Sequence, residues 1–424
     1  MRTDGLSFDR IPPLATPLGY FLLAPLFGLL AALILVAQPA MLEQRWLGAS
    51  LAATHLLALG FGAQIMLGAL YQVMPVVTGQ PLSQHARLPR LIQLLLATGT
   101  LALATGFMTA APVAFSLAAI ALPLALLLFV GCWGTALWRV HPLGESARVL
   151  RLAAVGLIGA GGLGLHQALY HAYPSLIGYA GELTDAHLLW ASLGWVVMLV
   201  MGVSLQVIPM FHVTPALPRW IAQFAAPALL AMLFIATLWP PSRAVALLLS
   251  ALLTGAYAIA ALNALAARKR KRIDYTVRLW QLALCHLLMT ALALGASAAG
   301  IQLTSLAGPV GVVFGIGFML SVMLGMLQKI VPFLIYLHLQ RACLGDPMAM
   351  MALPNMQDLL PTQTQRRQWQ LQLLTLLLLY LSYVPGMIEL TGRLAGVAAA
   401  ANFIYLGRAL WRARQRFYAA LPTA

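Results

Sequence analysis

The sequence predicts an all-α polytopic membrane protein, with twelve transmembrane helices in three pseudo-symmetric four-helix arcs. Three observations lead there. Of 424 residues, 62% are hydrophobic and only 8% charged, the reverse of what a wet surface requires. The charged residues are separated by long uncharged stretches, and one short Gly-to-Pro motif recurs in every fourth stretch. A soluble enzyme is excluded. Cys132, Cys285 and Cys343 lie far apart in apolar surroundings, so neither a disulfide framework nor a CxxC motif is present.

One crossing needs about 20 residues free of buried charge. Stretches 11–42, 46–86, 152–181, 186–218, 220–242, 244–267 and 368–388 each supply one. Stretches 91–138 and 279–328 are long enough for two, and must fold back at 109–112 and around 295–309. Stretch 394–407 is short, but Arg408 and Arg412 can snorkel and extend it to Trp411. The total is twelve.

Loop charges test that order, because Lys and Arg collect in cytoplasmic loops. Alternate loops on one side hold Arg2, Arg10, Arg87, Arg90, Arg139, Arg148, Arg151, Arg219, the tract 268–272, Arg278, Arg341, Arg366, Arg367 and the C-terminal arginines. The other side holds only Arg45, Arg243 and Arg393. Both ends of the chain are therefore expected on the cytoplasmic face of a bacterial inner membrane. The tract ARKRKR is explained by topology and anionic lipid, so no nucleic-acid role is assigned. The opening MRTDGLSFDRIPPL lacks a small-residue cleavage site, and the first helix is expected to be retained.

The recurrent motif reads GALYQVMP at 68–75, GVSLQVIP at 202–209 and GMLQKIVP at 325–332. It falls near the cytoplasmic ends of the second, sixth and tenth helices. Gly allows close helix approach there, and Pro breaks the last turn where neighbours can satisfy the freed carbonyl. An internal triplication follows, with repeats over about 14–138, 148–267 and 279–411 of a single transmembrane domain and a cytoplasmic loop at 337–368.

Depth divides the nine histidines. His85, His141, His212 and His338 fall at cytoplasmic ends or loops and are expected to be wet and unliganded. His286, next to Cys285, is expected to be a hydrogen-bonded core residue, because adjacent helical residues point about 100° apart. His55, His166, His171 and His187 all belong to the outer third of the membrane. A neutral imidazole at that depth can offer a nitrogen to a metal such as haem iron or copper.

The stretch THLLALGFGAQIMLGALYQVMPVVTG, at 54–79, resembles the second helix of the haem-copper oxidase catalytic subunits, and is still more similar to the NnrS family of that superfamily. The resemblance implies haem b, with copper as a second metal. In it His55 takes the place of a low-spin haem ligand and His187 that of a copper ligand on the sixth helix. His187 sits two residues off the register of His55, a turn of about 200° that leaves its face open. His166 and His171 have no counterpart and either complete a site or line a polar vestibule.

Departures from the oxidase pattern are as informative. The tenth helix, read over 309–334 as PVGVVFGIGFMLSVMLGMLQKIVPFL, carries no histidine and the seventh lacks the adjacent histidine pair, so an oxygen-reducing binuclear centre cannot be assembled. All ten acidic residues sit outside the spans or at their ends, which removes a proton-pumping route. The resemblance then implies work on nitric oxide or nitrosative stress, or haem and copper handling beside respiratory-chain components. Two other classes stay open: a transporter of small solutes, and a noncatalytic assembly partner of a respiratory complex. Lys329, at the repeat position of Gln72 and Gln206, either snorkels or holds a polar ligand. Glu182 and Asp185 are expected to cap the sixth helix.

Overall fold

The computed structural model describes residues 12–79, 82, 87–139, 144–178, 181–301 and 307–421. Among them twelve long helices and no strand occur. They are α1 (Ala15–Ala37), α2 (Gly48–Val77), α3 (Arg87–Thr109), α4 (Pro112–Trp138), α5 (Glu145–Ala172), α6 (Gly181–His212), α7 (Ile221–Leu238), α8 (Pro240–Ala266), α9 (Tyr275–Ala298), α10 (Ala307–Ala342), α11 (Thr362–Leu381) and α12 (Ile388–Ala419). Eleven are long and apolar enough to cross a membrane; α11 is the exception.

Burial separates two kinds of helix. The apolar cores of α2, α6 and α10 are 78%, 67% and 72% buried, against 50% or less for the other spans. These three inner helices carry the Gly-to-Pro motif. Around them, α3 packs on α4, α8 on α9 and α11 on α12, and α1 lies along α12, so the outer helices meet head to tail.

Each inner helix contains one π-helical segment of eight residues: Leu56–Ala63, Trp190–Val197 and Val313–Leu320. All three begin nineteen residues before the motif proline, at Pro75, Pro209 and Pro332. The fifth residue of every segment is glycine, and each admits a close neighbour. A methyl group would drive Gly60 into Phe27 and Gly317 into His286, and Gly194 carries the carbonyl that meets Gly156 of α5. A π turn frees backbone groups that need partners. In α10 the carbonyl of Ile316 accepts from Gln372 Nε2 at 2.8 Å.

That contact explains why α11 reads as polar. Gln368, Gln372 and Thr375 are all buried; the Thr375 hydroxyl donates to the Leu371 carbonyl, and the two glutamines form a network with Ser321 and Asn402, in which Asn402 Nδ2 donates to Gln372 Oε1 at 2.9 Å. Leu374 and Leu377 point outward. The polar residues of this helix therefore face protein, where hydrogen bonds offset their burial.

The connection expected at 337–368 is shorter than the sequence suggested. Helix α10 continues to Ala342 and α11 begins at Thr362, leaving two short helical turns, Pro347–Met351 and Met356–Leu359, between them. Asp346 caps the first through the amides of Met348 and Ala349, each at 3.0 Å, and Asn355 with Asp358 forms a capping box on the second.

Candidate functional site

His55 stands one residue before the π segment of α2, and His187 three residues before that of α6. Their ring centroids lie 6.4 Å apart and their planes are within 10° of parallel. The two-residue offset is what a shared site needs. Residues on identical faces of two repeated helices need not point at one another, and the displacement of His187 turns its ring toward α2.

Both rings are fixed by backbone. Nδ1 of His55 donates to the Leu51 carbonyl at 2.7 Å, and Nδ1 of His187 donates to the Ala160 carbonyl of α5 at 3.0 Å. Carbonyl oxygens only accept, so the proton of each neutral ring sits on Nδ1 and the lone pair on Nε2. This is the arrangement that orients metal-ligating histidines. Gly164 of α5 makes room for it, since a Cβ there would lie 2.9 Å from Cε1 of His187. Small residues also bring α5 against α6: side chains at Gly156 and Gly159 would meet the Gly194 backbone and the Trp190 ring.

Aromatic rings extend the site toward α3, α4 and the end of α5. Phe107 lies 5.1 Å from the His55 ring and 5.6 Å from His171, and His171 stacks on Phe115 at 4.8 Å. His171 thus adjoins the pair through Phe107. His166 has no ring contact with the other three among the described residues, but its Nδ1 is buried without a partner, as are Gln167 Nε2 and Thr184 Oγ1 nearby in sequence on α5 and α6. Nothing in the sequence flagged Phe107, Phe115, Gln167 or Thr184, since isolated aromatic and polar residues carry no spacing signal.

At this same end Asp185 does not cap α6. It lies within the helix and draws in two arginines, Arg243 at 3.3 Å and Arg45 at 3.9 Å. The third arginine of that group, Arg393, pairs with Glu389 and donates to the Val36 carbonyl.

The proline end is built differently. Lys329 Nζ reaches Asp274 Oδ2 at 2.8 Å, and Asp274 caps α9 by accepting from the Thr276 amide at 2.9 Å and hydroxyl at 2.6 Å. Burial pushes the Asp274 carboxyl up, but the Lys329 ammonium and the Thr276 donors outweigh it and hold the group below its ordinary value. His212, expected to be wet, is instead 5% exposed, with Nδ1 at 3.9 Å from the same carboxylate. The left-handed turn at Val213 folds the chain over it, and the Val213 carbonyl accepts from Lys269. His286 is a hydrogen-bonded core residue, donating to Leu282 at 2.7 Å, while its neighbour Cys285 faces outward. His85 and His141 lie outside the described residues.

A metal bound at about 2.0–2.1 Å to one nitrogen on each of two imidazoles sets the ring centroids roughly 6 Å apart. The observed 6.4 Å is of that order, and a shared metal would further need the two Nε2 lone pairs to converge on it. Two imidazoles are enough for haem iron, whose four equatorial places the porphyrin fills. A bare transition metal takes three or four protein donors, and among the described residues no group of three His, Cys, Asp or Glu converges. Two fixed imidazoles are therefore as many donors as a haem iron would need and fewer than a tetrahedral metal site takes. Compared with known proteins, the chain matches no family model and no curated relative, so the kinship suggested by residues 54–79 stands on that motif alone.

Proposed function

We propose that this is an integral membrane haem protein, a degenerate relative of the haem-copper oxidases and NnrS proteins, in which His55 and His187 would hold the iron of a haem b. The observation that carries the reading is the parallel imidazole pair, 6.4 Å apart, with each Nδ1 committed to a backbone carbonyl. A haem so bound supplies one-electron chemistry. His55 and His187 position the iron; Phe107 and Phe115 line the flank; His171 is an auxiliary donor and His166, with Gln167 and Thr184, offers buried polar atoms to the ligand's edge. A haem held by two imidazoles would favour electron transfer over gas binding, and the biological setting would be nitrosative stress or haem handling beside a respiratory chain. The same reading takes α11 as the twelfth crossing, its polar face turned inward, and the three inner helices as the cores of three four-helix arcs with both termini cytoplasmic. The shared register of the three π segments supports that triplication.

Purified protein in detergent is expected to show a Soret band and a b-type pyridine haemochrome, and His55→Ala is expected to lose more than nine-tenths of the bound haem. Protein that is colourless as isolated and takes up no added haem would overturn the reading. One observation favours a transporter as the second reading. Gln64 is fully buried in α2 with both amide atoms unpartnered, and a burial of that kind costs about 1–3 kcal/mol unless water or a polar solute meets it.

A further inference from the structure

Between α1 and α3 the surface opens into a groove of about 520 Å³. Helix α1 lines it from Leu30 to Gln38 and α3 from Leu101 to Thr109, each through positions i, i+3, i+4, i+7 and i+8, so one whole face of either helix is turned to the gap. The walls are mostly exposed. The two buried lining residues, Leu56 of α2 and Ala104 of α3, form the floor. Both walls belong to spans whose apolar cores are half buried or less, which makes the groove continuous with the surface that faces lipid.

Depth and polarity select the occupant. Eight residue steps separate Leu30 from Gln38 and Leu101 from Thr109, a rise of about 12 Å, which fits within one leaflet of a hydrocarbon core about 30 Å thick. Polar side chains stand only toward the histidine end, where Gln38 and Thr109 close the walls and Thr105 lies one turn below; the rest of the lining is apolar. We propose that this groove binds one acyl chain of a phospholipid from the leaflet on the histidine side, its headgroup meeting Gln38 and Thr109. Lipid tails are as apolar as leucine, so no hydrophobic force drives the chain in. It is held by van der Waals contact on three sides, where a tail against an open helix face has contact on one. Short side chains deepen the floor: Ala52, Ala53 and Ala97 pack with Leu56 and Ala104. The tail then lies one residue from the imidazole pair, since Leu56 follows His55 and Met108 follows Phe107. This inference does not depend on haem.

The test uses full-length protein purified in mild detergent, with bound lipid counted by native mass spectrometry. Wild type is expected to retain one phospholipid per chain, and Ala104→Phe, which raises the floor, is expected to lower its occupancy roughly tenfold. Leu101→Trp fills the groove from its exposed wall and should have the same effect without entering the packed core, so lipid loss in a variant that melts like wild type carries the result. In vesicles, a phospholipid bearing a diazirine midway along one chain is expected to label residues 30–38 and 101–109 roughly fivefold more than the more exposed face of α4 at Val113 and Ile120. In Leu101→Trp that excess should vanish. Absence of retained phospholipid, equal retention by wild type and both variants, or a prenyl lipid in its place would overturn the proposal.

Discussion

The two ends of the inner helices hold different polar groups. At the proline end the buried charge is paired, since Lys329 holds Asp274 and Asp274 also caps α9, while His212 Nδ1, Gln72 Oε1 and both amide atoms of Gln328 are buried without a hydrogen-bond partner among the described residues. At the histidine end, His55 and His187 each use one nitrogen to fix the ring and leave the other with no hydrogen bond among the described residues, while His166, Gln167 and Thr184 keep buried polar atoms unpartnered. Paired groups stabilise a fold. Groups that are rigidly oriented but unpaired are costly unless a ligand or water meets them, so the two ends differ in kind: an ion pair that caps a helix at one, two fixed imidazoles at the other.

Three experiments sharpen or break this contrast. Lys329→Met removes the partner of Asp274 and should lower the unfolding free energy by about 1–2 kcal/mol, less than a fully buried pair because a quarter of each side chain is exposed. Its Soret band should be unchanged; a loss of haem in this variant would join the two ends and break the comparison. A smaller effect comes from acid. Asp274 is held below its ordinary value in the folded chain, so its contribution is present above the unfolded value near ~3.9 and disappears as pH falls below it. The stability gap between wild type and Asp274→Asn should accordingly shrink as the solution is taken from neutral pH to below about 4. Thermal unfolding at several pH values reads this directly, and a gap that widens on acidification would reverse the assigned sign. The smallest expected change is His171→Leu, which keeps bulk beside Phe107 and Phe115 but removes the auxiliary nitrogen. Haem content should stay within a factor of about two of wild type, whereas complete loss would make His171, rather than His187, a residue that holds the haem.

Much of this was legible in the residues. Uncharged stretches marked the helices, because charge is excluded from apolar spans, and the Gly-to-Pro motif singled out the three helices that prove to be the most buried. The depth of His55 and His187 was equally readable, since it depends only on distance along a helix. Their meeting was not, because a 100° step per residue fails across π turns and says nothing about which way two different helices face. His212 was misjudged for a related reason. Its place at a helix end suggested water, but the left-handed turn at Val213 and the Asp274 cap enclose it, and neither is visible in local composition. The π segments themselves carry no composition signal beyond their shared glycine.

The inward polar face of α11 has a consequence for biogenesis. Among the described residues the side-chain partners of Gln368 and Gln372 lie on α10 and α12, so on the twelve-crossing topology this helix gains little by entering lipid alone. Insertion machinery that sorts each segment by its own apolarity would pass it over. Its entry must wait for synthesis of α12, and the two helices should commit to the bilayer as a pair.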